Sequence, residues 1–407
     1  MNYLDFSCDI NIKDNPLNLN IDDYLDLALR NNKKRRFLFI SKNLGKHIPV
    51  NPEKVDNLGY LLAKAYKKKY LNYKEEKELV IGFAETATAL SHSFFNYLES
   101  AKLFIHTTRE NLDLNRIDFL EEHSHATEQI LYTDKIFSLK NIDTLILVDD
   151  EITTAKTCIN MIKELQKNYK AKKYVIASIL NWIDEKREEE IKAIAKGLNC
   201  KIEFVYLFNG SFNFKFDEDK PLSDKFEKVN SNKEVKVKFL DLNLERHLEN
   251  KKYLKGTGRF GIDRKEQEEL INILKASSEK LNSIRENDKI LALGVEEFMY
   301  IPMILSKFMK GDIYYHSITR SPIIPFNDKN YPIKKKYKLN SFYNNNINYL
   351  YNLNINNSKE CFLFLETFVN EKRIENIINL LRERGKNNLL HLLNDMKNYI
   401  QIFEWKK

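Results

Sequence analysis

The chain has 407 residues, enough for two globular domains of roughly 150 residues or one domain with a large elaboration. A hydrophobic fraction of 43% and an aromatic fraction of 12% exclude a largely disordered chain. Lys plus Arg number 66 against 58 Asp plus Glu, and the resulting charge of +8 permits phosphate or polyanion ligands without calling for nucleic acid.

Four cysteines, Cys8, Cys158, Cys200 and Cys361, lie far apart with no CxxC pair. That spacing argues against a disulfide framework or a thiolate zinc site and fits a reducing compartment. No apolar run approaches the roughly 18 residues of a membrane helix. The first residues, MNYLDFSCDINIKDN, are acidic and lack a basic stretch followed by an apolar one. The expected location is therefore the cytoplasm, with no membrane partner.

In chain order, strands are predicted at 35–41, 78–83, 101–107, 143–150 and 172–180, each a near-continuous apolar run suited to a sheet covered on both faces. Helical spacing is predicted over 54–77, 86–99 and 155–169. Strand, helix, strand repetition implies a parallel sheet with crossover helices. The polar segment 209–235, with Asn209, Gly210 and Pro221, breaks the pattern. The expected division is an α/β domain over 1–225 and a second α/β domain over 226–407. In the second, strands are predicted at 289–294, 312–317 and 361–367, and helices at 297–309 and 370–384. Residues 326–358, rich in Asn, Lys and Tyr, read as an insertion or long loop. Lys and Tyr interleaved over 64–77 read as a solvated helix face, since Glu75, Glu76 and Glu78 follow at once.

The strongest chemical signal is TLILVDDEITTAKT, residues 144–157. An apolar strand runs into Asp149 and Asp150, then into a Thr-rich loop, and a helix starts near Thr157. Carboxylates at a strand end suit two vicinal ribose hydroxyls. The loop Thr153, Thr154, Ala155, Lys156, Thr157 suits a phosphate, through backbone N–H groups, Thr hydroxyls and the helix dipole. A plain polar turn with an N-cap explains one Thr or Asp, but not two acids and three Thr at these offsets.

The segment resembles the phosphoribosyl-pyrophosphate signature of type I phosphoribosyltransferases: four apolar residues, two acids, two variable residues, Thr or Ser, Thr, Gly, a variable residue and Thr. Ala155 stands where that family has Gly, and would be strained if the position requires positive φ. The resemblance extends to ELVIGFAETATALS (78–91). There it implies a pyrophosphate loop of Gly82, Phe83, Ala84, Glu85 and Thr86, with Phe83–Ala84 or Ala84–Glu85 as a non-proline cis peptide. It further implies a mobile loop within 106–132, to which Arg109, Arg116, His123 and His125 would contribute cationic groups. A metal site built from EEHSH, and a solvated loop without a role, are the alternative readings of that stretch.

SKNLGKHIPV (41–50), GFAETATAL (82–90), EEHSHATEQILY (121–132) and HSITRSPI (316–323) together resemble a narrower, two-domain group. This is the orotate-phosphoribosyltransferase-like family with a C-terminal TRSP domain, associated with tellurite-resistance and stress gene clusters. Thr319, Arg320, Ser321 and Pro322 form the TRSP tetrad. Arg320, just past a strand and followed by a proline-stiffened turn, reads as a ligand residue shared by the two domains, with Arg259 between Gly258 and Gly261 as a second candidate. Lys42, Lys46 and His47 around Gly45 read either as a cationic lip or as a basic surface turn.

The two halves also align. LVIGFAETATALS faces LALGVEEFMYIPMILS, with Gly82 against Gly294 and Glu85 against Glu297. LFIHTTR faces IYYHSITR, and LILVDDEIT faces FLFLETFVN. The second domain is expected to be a degenerate copy lacking the phosphate loop, or else a convergent α/β pattern.

The function the resemblance implies is Mg²⁺-dependent phosphoribosyl transfer from phosphoribosyl pyrophosphate to a nucleobase-like acceptor whose identity the sequence does not specify. Mg²⁺ would be held mainly by the substrate, with Asp149 and Asp150 in reach. A non-catalytic regulator that binds phosphoribosyl pyrophosphate or a nucleotide is the alternative. A homodimer or a biosynthetic complex fits either reading.

Overall fold

The computed structural model describes residues 1, 3, 6–32, 35–71, 77–120, 128–138, 142–216, 224–227, 235–240, 242, 244–245, 253–353, 358, 360–367, 377, 380 and 388–393. In the first half the elements are β1 (Phe6–Asp14), β2 (Leu25–Arg30), β3 (Phe37–Ser41), α1 (Pro52–Lys69), β4 (Glu78–Gly82), α2 (Thr88–Tyr97) and β5 (Ala101–His106). There follow β6 (Arg116–Leu120), β7 (Glu128–Tyr132), α3 (Asp134–Ser138), β8 (Thr144–Ile152), α4 (Lys156–Asn168), β9 (Lys173–Asn181), α5 (Glu185–Gly197) and β10 (Lys201–Phe216). The second half contains β11 (Val235–Leu240), β12 (Ile262–Asp263), α6 (Arg264–Ile284), β13 (Lys289–Val295), α7 (Tyr300–Phe308), β14 (Asp312–Ile318) and β15 (Ile323–Ile324). It continues with β16 (Lys336–Asn340), β17 (Ile347–Tyr351), β18 (Glu360–Phe364) and β19 (Asn388–Leu393).

The main sheet has the order β1-β10-β9-β8-β4-β5-β12. Its five central strands are parallel, and β1 and β12 close the edges antiparallel. A second sheet, β11-β19-β18-β13-β14, is parallel throughout. This is the α/β architecture expected from the apolar runs: a doubly covered strand has no solvent face to mark with polar residues.

Helix α1 shows how the sequence builds the layers. Asn51 caps it by accepting the Glu53 N–H at 2.8 Å, and Pro52 sits in the first turn, where a missing N–H costs nothing. Val55, Leu58, Leu62 and Tyr66 recur at helical spacing and are fully buried; each such aliphatic side chain contributes about 1.5–3 kcal/mol. Lys67, Lys68 and Lys69 occupy the last turn, where the helix dipole favours cations. The helix ends there, short of the predicted 77. Glu78 is not part of a solvated face but is buried at the start of β4, accepting hydrogen bonds from Tyr66 and Ser100.

Four sequence expectations change. The strand at 37–41 belongs to a small antiparallel sheet, β15-β2-β3, not to the parallel one. Residues 209–216, expected to break the strand pattern, instead form the outer half of β10, paired with β1. The alternation of half-buried Phe212, Phe214 and Phe216 with exposed Ser211, Asn213 and Lys215 carries that strand despite its polarity. The stretch 326–358 contains the hairpin β16–β17. The helix at 297–309 starts three residues late, because 295–299 form a tight turn in which Phe298 N–H returns to the Val295 carbonyl. Most of the predicted helix 370–384 lies outside the described residues.

The two sheets share a core. One apolar cluster includes Leu58 and Phe94 of the first half and Met303 and Tyr315 of the second. His92 of α2 stacks on Tyr300 of α7 with ring centroids 3.5 Å apart and meets Gln267 of α6 at 2.7 Å. Arg264 donates to the carbonyls of Phe95, Leu98 and Ala101, satisfying the end of α2 from the other half. Such a contact resembles a domain core cut in two. Among the described residues no helix is long and apolar enough to cross a membrane.

Candidate active site

Strands β8 and β9 run on past the end of β4. Gly82 is level with Val148, whereas β8 and β9 stay paired to Ile152 and Asn181. Asp149 and Asp150 therefore project from a ledge at the carboxyl end of the sheet, where open α/β folds hold ligands. The two carboxyls interact, and a hydrogen bond with Asp149 favours the ionised form of Asp150. Asp149 accepts the Asp150 N–H at 2.9 Å. Burial pushes the Asp150 carboxyl up to about 6, with neighbouring Glu151 adding to the rise. Glu151 is ion-paired with Arg35 at 2.5 Å, a pair that no sequence pattern announced, since its members are 116 residues apart.

After β8 the chain turns through Thr153 and Thr154 to Ala155, whose φ of 53° lies in the left-handed region. Here the structure adopts the conformation for which the resembling family uses Gly. Helix α4 starts at Lys156, and the Ala155 side chain provides no cap. Thr154 is held by Arg187, which donates to its carbonyl at 2.8 Å. Thr153, Thr154 and Thr157 are half-buried and Lys156 is exposed, so the loop presents its hydroxyls and the helix N-terminus at the surface of the ledge.

Beside it, β4 ends at Gly82. A Cβ there would lie 1.9 Å from Ser91 Oγ of α2, so only Gly permits this approach. The turn that follows is held from several sides. The Phe83 N–H reaches the Val148 carbonyl at 3.0 Å, and the Ala84 N–H reaches Thr107 Oγ1 at 2.8 Å. Gln129 of β7 donates to the Ala84 carbonyl at 2.9 Å. The Ala84–Glu85 peptide is cis.

Glu85 is the centre of a buried charge cluster. Its carboxylate is ion-paired with Lys46, receives the Arg320 N–H at 3.4 Å, and lies 3.8 Å from the Arg320 guanidinium and 3.9 Å from that of Arg109. Burial alone would raise the Glu85 carboxyl, but Lys46, Arg320 and Arg109 outweigh it and hold it down at about 2. Burial lowers the Lys46 ammonium, against the pull of Glu85. Arg320 is bound in turn to Glu296, which also accepts from Ser341 and Asn348 at 2.6 and 2.7 Å.

The candidate residues thus divide. Glu85, Arg109, Lys46 and Arg320, read from four separate segments, converge. Lys46 and His47 do not form an exposed lip: both are buried, and burial followed by the Lys46 charge depresses His47 to about 3. Lys42 turns outward to the Asp22 carbonyl at 2.7 Å. Thr319 is buried in a bridge to Tyr349, with its hydroxyl accepting the Ser321 N–H at 3.1 Å. Arg259 joins a different cluster, with Glu297 and Glu366, and its Nε donates to Thr108 Oγ1 at 3.2 Å. Arg116 lies on the exposed face of β6, paired with Asp118 at 3.2 Å. His123 and His125 lie outside the described residues. Sequence reading missed Glu296, Thr107 and Gln129, which gain meaning only from the strands that face them.

Residues 24–211 match the model of a phosphoribosyl transferase family, and residues 256–381 match that of the TRSP domain found C-terminal to this transferase domain. No curated protein matches the chain. Similar solved structures include the adenine phosphoribosyltransferase of Trypanosoma brucei, at 15% identity and TM-score 0.29, covering 38% of this chain and 65% of that one. The Rhodothermus marinus enzyme of the same name has 14% identity and TM-score 0.33, covering 46% and 94%. That of Leishmania tarentolae has 15% and 0.34, covering 46% and 84%. The two family matches, whose regions meet at the Glu85–Arg320 contact, carry the assignment: the chain consists of a phosphoribosyl transferase domain followed by a TRSP domain of the kind found C-terminal to it.

Proposed function

We propose that the chain transfers a phosphoribosyl group from phosphoribosyl pyrophosphate to a nucleobase-like acceptor. The observation that carries this reading is the ledge: two carboxylates at the end of β8, running through a left-handed Ala155 into the start of α4, beside the Gly82–Glu85 turn of β4. In this reading Asp149 and Asp150 accept from the ribose hydroxyls, and residues 153–157 hold the 5′-phosphate. The backbone of residues 82–86 faces the pyrophosphate. The acceptor nitrogen attacks the anomeric carbon, the bond from that carbon to the pyrophosphate oxygen breaks, and pyrophosphate leaves with the electron pair. Positioning and charge neutralisation, not a covalent intermediate, are the protein's work.

Hard oxygen donors at Asp149 and Asp150 fit Mg²⁺, which binds through one or two carboxylates together with substrate phosphates. Bound there with the substrate, Mg²⁺ would neutralise the departing pyrophosphate. Among the described residues no group of three or more His, Cys, Asp or Glu is placed to hold a metal by itself. Arg109 and Arg320, gathered on Glu85, would supply cationic groups from both halves.

The test is release of pyrophosphate from phosphoribosyl pyrophosphate with Mg²⁺ and a panel of bases. Binding without turnover for any base would replace transfer by a regulatory role. Arg320→Lys and Arg320→Ala test the contribution of the second half. Loss of the guanidinium should lower turnover by roughly 10–100-fold, the equivalent of one hydrogen bond to a charged group at about 1.5–3 kcal/mol.

A further inference from the structure

The two halves repeat one another in more than pattern. The strand order β9-β8-β4-β5 reappears as β19-β18-β13-β14, parallel throughout. Each copy inserts an antiparallel hairpin between its second and third strands in chain order, β6–β7 in the first and β16–β17 in the second. Each hairpin is anchored by the same kind of bridge, Thr108 to Ile130 and Thr319 to Tyr349. Thr108–Arg109 and Thr319–Arg320 are therefore equivalent. The register sets Gly82 against His106 and Gly294 against Ser317, so the two histidines of the sequence alignment miss each other by one residue.

The contacts between the copies are reciprocal. Val50, before α1, bridges to Tyr315 of β14; Ile262, before α6, pairs with Phe104 of β5. The Gly45 carbonyl accepts the Ser317 N–H at 2.7 Å, and the Gly258 carbonyl accepts the His106 N–H at 3.1 Å. Gly45 and Gly258 both have positive φ, 68° and 93°, and a Cβ on either would strike the aromatic ring of the opposing strand, Tyr315 or Phe104. The residue after each glycine, Lys46 or Arg259, is ion-paired with a glutamate in the turn after the first strand of a copy, Glu85 or Glu297. Finally, Glu85 receives the Arg320 N–H at 3.4 Å and Glu297 receives the Arg109 N–H at 2.9 Å. A self-complementary exchange of this kind is what a two-fold symmetric dimer makes.

We infer that the TRSP half is a built-in, catalytically silent partner protomer, with Glu297 the residue that positions the Thr108–Arg109 turn of the catalytic half. Its silence has a visible cause. By register, with Leu147 against Ile81 and Leu363 against Leu293, Glu366 just past the end of β18 takes the place of Asp150, one residue off the sequence alignment, and Arg259 is ion-paired with it, both side chains almost wholly buried. Glu297 meanwhile accepts from both the Thr108 hydroxyl, at 2.6 Å, and the Arg109 N–H. It thereby fixes the residue whose guanidinium faces Glu85.

The kinetic and binding parts of the test rest on the proposed transfer reaction; the exchange part does not. Calorimetric titration of the full chain with phosphoribosyl pyrophosphate and Mg²⁺ should give one site per chain, lost in Asp149→Asn/Asp150→Asn. Two sites per chain, or one surviving in that variant, would overturn the silent half, whereas no binding to wild type would overturn the proposed reaction alone. Glu297→Gln should speed amide exchange at 108–109 while leaving β4 unchanged. It should lower kcat by between about tenfold and 100-fold with the acceptor KM unchanged, and Glu297→Asp should recover part of the loss. If Glu297→Gln does not fold, Thr108→Val removes the other end of the same hydrogen bond and is read in the same way. Unaltered exchange at 108–109 in the variant would sink the positioning role.

Discussion

The ends of β8 and β18 are the same place in two copies of one fold, and they have opposite electrostatic fates. In the first, Asp149, Asp150 and Glu151 are half-buried at the mouth of the sheet, and Asp150 is held above its ordinary titration range by burial. In the second, Leu365 replaces the first acid, and Glu366 is buried against Arg259. Burial raises the Glu366 carboxyl too, but there a guanidinium pulls it back. A half-buried acid at the mouth of the sheet is a cost the fold carries, whereas an acid buried against a guanidinium is part of the core. The difference separates a site available to a ligand from one the chain fills itself.

The sharpest way to break this contrast is to remove the two acids of the ledge. Asp149→Asn/Asp150→Asn should cut pyrophosphate release by roughly 10²–10⁴-fold, two charged hydrogen bonds at about 1.5–3 kcal/mol each, without lowering Tm. Turnover near wild type would remove the ledge from the reaction.

The opposite result is expected at the filled end. Arg259→Ala strands Glu297 and Glu366 in the interior and should cost about 3–5 kcal/mol in urea denaturation, the usual consequence of removing one partner of a buried pair. A variant as stable as wild type would mean that water or another cation reaches the two glutamates.

The pH dependence sharpens the comparison further. The folded-state pKa of Asp150 lies above its unfolded value, so the native state binds the extra proton between about pH 4 and 6. Stability from this group is lost as pH rises through 6. Asp150→Asn should therefore raise Tm at pH 7, with the gain shrinking towards pH 4; thermal melts at both values would show it. A gain that grows with acidity would contradict the burial of this carboxyl.

The smallest effect belongs to the loop that the second copy lacks. Ala155 at φ 53° incurs a left-handed penalty of roughly 1–2 kcal/mol, partly offset because Gly would lose more backbone freedom on folding. Ala155→Gly should stabilise by up to about 1 kcal/mol in chemical denaturation. Destabilisation would indicate that the Ala155 methyl, which is buried against α4, contributes more than the strain removes.

Much of the catalytic half was legible because local pattern and tertiary role coincide there. Apolar runs that must be covered on both faces declared β4, β5, β8 and β9, and the abrupt change from Val148 to Asp149 declared the strand end. The cis peptide at Ala84–Glu85 and the left-handed Ala155 both fell where the resemblance placed special backbone. The outer part of β10 and the hairpin β16–β17 were hidden, because stretches rich in Asn, Lys and other polar residues mimic loop composition while still alternating in exposure. The lip read into Lys46 and His47 failed for a related reason: residue type does not reveal that a second sheet covers them.

By itself the sequence determined the parallel α/β class, the acidic strand end with its Thr-rich loop, and the likeness of the two halves, all written in contiguous stretches of ten to twenty residues. Only the tertiary structure decided which charges meet. Lys46, Glu85, Arg109 and Arg320 are separated by up to 274 positions, and their pairing depends on a reciprocal packing of two sheets that no local pattern encodes. The physical reason is that strand formation follows from near-neighbour hydrophobicity and backbone preference. The state of a buried charge instead follows from whatever the fold places within a few ångströms of it.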